Sequence, residues 1–120
     1  MAQAYDRIAR VNEIMKREIA DIIERRGIGG SGVLVSVTKV HTSDSLRNAA
    51  VYISVFGAKD EERISEVFKN LVKFRPEIQR NVAKHVVLKY TPVLHFIHDT
   101  NLEDGDKVLS LIREMEEDEQ

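Results

Sequence analysis

Between Asp60 and Pro92 the chain sets up a helical period and then interrupts it. Ile64, Val67, Phe68 and Leu71 recur at steps of three and four, and Ile78 and Val82 resume beyond Phe74-Arg75-Pro76. Pro76 has no backbone N–H and its ring crowds the preceding turn, so an unbroken helix through it costs about 3 kcal/mol. The residue before a proline is also pushed away from helical angles. The sequence therefore predicts a boundary at Phe74-Arg75-Pro76, with one helix opening at Asp60 and another at Pro76.

The remaining elements fit around that break. Ile8, Val11, Met15, Ile19 and Ile22 share one face of a helix over about Asp6 to Arg25. Val33 to His41 and Asn48 to Phe56 alternate as strands, joined by the turn-forming Thr42-Ser43-Asp44-Ser45, so the pair is expected antiparallel. A third strand is expected from Val86 to Ile97, and Pro92 inside it implies an edge position or a bulge. Beyond Asp99, acidic residues and the apolar Val108, Leu109, Ile112 and Met115 predict a fourth helix. With 120 residues the chain suits one domain, read as residues 1–115, followed by an acidic tail at 116–120.

Composition narrows the chemistry. There is no cysteine, so disulfides, thiolate metal sites and thiol nucleophiles are excluded, and a reducing, cytoplasmic location is expected. No apolar run approaches the roughly 18 residues of a membrane span. The net charge of −2 conceals an asymmetry: residues 1–98 carry 16 Lys and Arg against 11 Asp and Glu, whereas residues 99–120 carry 2 against 9. A basic body with an acidic end suits an anionic partner such as nucleic acid.

Several motifs point elsewhere and fail. Gly27-Ile28-Gly29-Gly30-Ser31-Gly32 has the spacing of a dinucleotide fingerprint, but it follows a helix and precedes a strand, the reverse of what pyrophosphate binding needs. It is read as a flexible loop. Asp99 to Gly105 has calcium-loop spacing in part, but Asp104 and Ser110 stand where glycine and glutamate are required. His95 and His98 point to opposite faces of an extended chain, which does not suit joint metal ligation. No metal, no cofactor and no catalytic residue are assigned, and an enzyme using Ser31 or a histidine is the weakest of three readings.

The best-formed constellation is basic. At about 100° per residue, Lys69, Lys73, Arg80 and Lys84 fall in one sector, opposite the apolar face, with Arg75 at the bend. Arg7, Arg10 and Arg17 share a face of the first helix, Lys39 and Arg47 flank the first turn, and Lys89 follows on the third strand. The first reading makes all eleven RNA phosphate contacts; the second is a protein-interaction module in which they are merely solvated.

The order helix, strand, strand, helix, break, helix, strand is an α+β layout with helices on one face of a three-stranded sheet, and it resembles the type II KH domain. KH modules clamp RNA with a GxxG loop between their central helices; here no glycine stands between them. Local motifs narrow the resemblance: Arg10-Val11, Ile14 and Arg17-Glu18-Ile19; Val37-Thr38-Lys39-Val40; Ser43-Asp44-Ser45-Leu46; Ala50 to Gly57; Leu88 to Phe96; and Asp99 with Asn101. Over about residues 5 to 113 the chain resembles the ribosome-binding factor A family. That family usually carries Ala-x-Gly at the break, where Phe74-Arg75-Pro76 stand here. A monomer is expected, and the resemblance implies a non-enzymatic factor that binds the immature small ribosomal subunit at its 16S rRNA. It further implies a role in maturing the 5′ end of that rRNA, in company with other assembly factors, and in growth in the cold.

Overall fold

A computed structural model describes residues 2–100; the expected fourth helix and acidic tail lie outside them. Five elements follow in order: α1 (Ala2–Arg25), β1 (Leu34–Thr42), β2 (Asn48–Phe56), α2 (Glu61–His85) and β3 (Val93–His98). The sheet runs β1-β2-β3, with β1 and β2 antiparallel and β2 and β3 parallel. A parallel pair needs a crossover, and α2 supplies it. The helices bury their apolar stripes on one face of the sheet, which is the KH-like α+β arrangement.

In α1, Val11, Met15, Ile19 and Ile22 are buried as their spacing requires, joined by Ile23. The helix ends in a wrap where the Gly27 N–H donates to Glu24 O and the Ile28 N–H to Ile23 O, with Gly27 at φ 61°. This glycine run is the expected loop between α1 and β1, built from hydrogen-bonded turns. Ile28 is driven into the core, and the Arg63 guanidinium donates to Gly29 O at 2.6 Å.

Strand β1 carries a bulge between Val37 and Lys39. The extra residue, Thr38, shifts the alternation, so Val35 and Val37 before it and Val40 and Thr42 after it all face the helices. β2 is central and buried on both sides from Asn48 to Ile53. Its Ala49, Val51 and Ile53 meet the helices, while Ala50 and Tyr52 pack with Ile97 on the opposite face.

Helix α2 departs most from expectation. Asp60 caps it, its Oδ1 accepting the Arg63 N–H at 2.9 Å, and the helix then runs unbroken to His85 with Pro76 inside. The expected two helices are one. Val67, Leu71, Ile78 and Val82 are all buried on one stripe, and burying a full aliphatic side chain contributes about 1.5–3 kcal/mol. Keeping that stripe buried in one continuous helix outweighs a single lost hydrogen bond, whose orphaned acceptor, the Val72 carbonyl, belongs to an exposed residue.

Strand β3 is shorter than expected. Residues 86–92 are not strand, and pairing opens at Val93, whose N–H donates to Arg47 O at 2.8 Å. Pro92 thus sits just ahead of an edge strand, where its missing donor costs no ladder bond.

Candidate nucleic-acid interface

The basic residues divide among three surfaces. On α2, Lys69, Lys73, Arg80 and Lys84 are all exposed, and because the helix does not stop at Pro76 they keep the common sector that the period assigns. From Lys69 to Lys84 the stripe extends about 22 Å at 1.5 Å per residue. Among the described residues none of the four is in an ion pair. Glu77, the carboxylate nearest this stripe in sequence, is engaged from the other side: Arg26 Nε donates to both its oxygens at 3.1 and 3.2 Å, and Nη2 adds a third bond. The hydrogen bond from Arg26 is the main cause of Glu77 lying below the ordinary carboxylate range.

Arg75 does not join the stripe. It is half-buried, its guanidinium 5.7 Å from the centre of the Phe96 ring on β3, and its Nε is buried without a partner. In one continuous helix, position 75 lies beside the buried stripe and faces β3 instead of standing at an outward corner, which corrects its expected place at an exposed break.

The second surface is the outer side of α1, where Arg7, Arg10 and Arg17 are exposed as expected. The helices are antiparallel: Glu18 meets His85 at 3.2 Å and Arg26 meets Glu77. Arg17 therefore lies level with Lys84, and Arg7 and Arg10 lie farther along, beyond the end of α2.

The third surface belongs to the sheet. Lys39 Nζ stands 5.8 Å from the Tyr52 ring centre on the face away from the helices. Burial, and then Asp99, pushes the Tyr52 hydroxyl up, and Thr38 Oγ1 donates to Asp99 Oδ2 at 2.5 Å. Arg47 and Lys89 come together at the sheet edge around Tyr90, 5.3 and 5.5 Å from its ring centre. Lys39 thus does not share a face with the α2 stripe, and Arg47 and Lys89 gather separately at Tyr90. Sequence reasoning misses Arg26 and Tyr90: the partner of the first is 51 residues away, and the second falls inside the strand expected from Val86.

The other candidates separate. His95 Nε2 lies 2.8 Å from Asn48 Oδ1, whereas His98 packs edge-on against Phe68, so the two rings occupy opposite faces. Burial, reinforced by Lys39, holds His41 below the ordinary imidazole value. The hollow beside Ser31 is lined by Lys59, Asp60, Glu62, Arg63 and Glu66, with no histidine among its described lining residues. Among the described residues no group of three His, Cys, Asp or Glu could hold a metal ion, and no helix is long and apolar enough to cross a membrane.

Comparison with known proteins agrees with the motifs. A curated ribosome-binding factor A from Acetivibrio thermocellus is 39% identical over 111 residues, spanning 91% of this chain and 88% of its own. The crystal structure of ribosome-binding factor A from Thermus thermophilus superposes with a TM-score of 0.59 at 21% identity, covering 76% of this chain and 94% of that one. Coordinates of the Thermus thermophilus factor as fitted into a cryo-EM map of its complex with the 30S subunit give a TM-score of 0.54 at 20% identity, covering 70% and 86%. The family model for ribosome-binding factor A matches residues 7–112, and the chain belongs to that family.

Proposed function

We propose that this protein binds the free or immature small ribosomal subunit through 16S rRNA, without catalysis, as a monomeric assembly factor of the cytoplasm. The observation that carries the reading is the α2 stripe: four exposed cations with no ion-pair partner among the described residues, beside a Glu77 already held by Arg26. A row of ammonium and guanidinium groups about 22 Å long suits successive phosphates of folded RNA. The Thermus thermophilus relative, fitted as a complex with the 30S subunit, supports the same partner. The finer role we propose, late maturation including the 5′ end of 16S rRNA, growth in the cold and cooperation with other assembly factors, is the one that the family resemblance implies.

Sucrose-gradient fractionation of a lysate tests the partner: the protein should travel with free small subunits. Repeated over a range of salt, association should weaken with a log–log slope of about 0.7–0.9 per phosphate neutralised. Salt-insensitive association, or none, would overturn the reading. The maturation role predicts 5′-extended small-subunit rRNA precursors in cells lacking the protein, most abundant in the cold.

A further inference from the structure

We infer that Tyr90 is a stacking platform for one unpaired RNA base, with Arg47 and Lys89 holding the phosphates on either side of it. The inference rests on the RNA-binding reading above and adds to it a second kind of contact, away from α2.

The placement follows from where β3 begins. Leu88 and Tyr90 share a parity that would turn both toward the core if the strand started at Val86, but pairing opens only at Val93. Leu88 still packs against the core, whereas Tyr90 is released and stays 52% exposed. The core therefore does not account for an aromatic at this position.

What surrounds the ring is cationic. The Arg47 guanidinium and the Lys89 ammonium lie 5.3 and 5.5 Å from its centre, within the reach of cation–π attraction. Among the described residues neither forms an ion pair. The Arg47 backbone is fixed in place because its carbonyl accepts the Val93 N–H that starts the parallel ladder. Arg47, Tyr90, Thr91 and Val93 together line an open hollow of about 350 Å³, room for a single base. A half-exposed aromatic ring attended by two cations, with no carboxylate among the described residues lining the hollow, is the composition that grips an unstacked nucleotide: the base meets the ring and the flanking phosphates draw the charges to themselves. Such stacking is tolerant of sequence, since every base has a π-face.

The test titrates the full chain with a single-stranded hexamer of adenosines, with an RNA duplex, and with free small subunits. Tyr90→Phe should bind the hexamer within twofold of the parent. Tyr90→Leu, which keeps apolar bulk but has no ring, should bind it at least about fivefold more weakly at an unchanged melting temperature, and duplex binding should not respond. Equal hexamer affinity in the parent and Tyr90→Leu overturns the platform. So does a variant weakened toward subunits but not toward the hexamer, which would place a ribosomal protein or helical RNA on the ring. If the parent shows salt-dependent subunit binding without hexamer binding, the platform alone falls; if it binds neither, the RNA reading falls with it.

Discussion

Arg26, one residue past the end of α1, clasps Glu77 in the second half of α2 through hydrogen bonds to both carboxylate oxygens. The same guanidinium stands 5.9 Å from the Phe74 ring centre, so one side chain spans both sides of the Pro76 position. Folding lowers the pKa of Glu77, chiefly through the hydrogen bond from Arg26. A carboxyl group with a depressed folded pKa adds stability above its unfolded value, near 4.5, and loses it as the pH falls through the folded value. Arg26→Ala should therefore lower urea resistance at pH 7, and the gap to the parent should narrow once the pH passes below about 4. What difference survives in acid measures the contact with Phe74. Parallel pH profiles for parent and variant would show that the clasp does not operate in solution.

Pro76 is exposed and lies inside a continuous helix, so its ring is not needed for packing. Pro76→Ala restores an N–H to face the Val72 carbonyl and should raise stability by up to about 3 kcal/mol, the helix-interior penalty of proline. Equilibrium urea unfolding measures it. A fall in the midpoint would mean that α2 depends on a bend at this position.

The stripe and Arg75 should respond differently to mutation. The combined change Lys73→Glu, Arg80→Glu and Lys84→Glu affects only exposed positions and should leave the fold intact. It should cut small-subunit affinity by more than tenfold at low salt and flatten the salt slope, since each lost phosphate contact removes about 0.7–0.9 from it. Arg75→Leu should leave both affinity and slope near the parent values, because the guanidinium faces Phe96. Sedimentation with purified subunits at two salt concentrations separates the cases. An effect of Arg75→Leu as large as that of the triple change would put Arg75 back in the interface.

Period alone revealed what depends only on period. The α1 stripe from Val11 to Ile22, the bounds of β2 and the outward row Lys69, Lys73, Arg80 and Lys84 are all local consequences of 3.6-residue or two-residue repeats. Local cost misled at Pro76, because four buried side chains spread over α2 decide the matter together. At Thr38 a bulge resets the alternation, and nothing in Val37-Thr38-Lys39 announces it. Tyr90 falls inside the strand expected from Val86, although pairing begins only after Pro92. Arg75 and Arg26 were out of reach for a different reason: their partners, Phe96 and Glu77, belong to elements whose packing has to be known first.

Asn12 joins α1 to the end of β1. Its Oδ1 accepts the Thr42 N–H at 3.1 Å and also the Thr42 hydroxyl, and Thr42 is buried. Asn12→Ala leaves a buried backbone donor unpaired and should cost about 1–3 kcal/mol. Asn12→Asp keeps an acceptor at that position and should recover most of the loss at neutral pH. If Asp were as damaging as Ala, the amide's donor groups would be the part that matters.

Gly57 and Gly27 both adopt positive φ, at 93° and 61°, but their surroundings differ. A Cβ on Gly27 would meet nothing within 4 Å, whereas one on Gly57 would lie 2.4 Å from the Gly32 carbonyl oxygen. Gly27→Ala therefore carries only the left-handed penalty of about 1–2 kcal/mol. Gly57→Ala carries that penalty and must also push the end of β2 away from the glycine turns that precede β1. Since the obstacle is backbone, no side chain can rotate to relieve it. Urea denaturation should find Gly57→Ala the more destabilised of the two by at least about 1 kcal/mol, in the range of strained backbone positions. Amide exchange should also accelerate at Val33 in that variant, where the N–H donates to Gly30 O. Equal losses for the two substitutions would mean that the close approach of Gly57 to Gly32 is relaxed in solution.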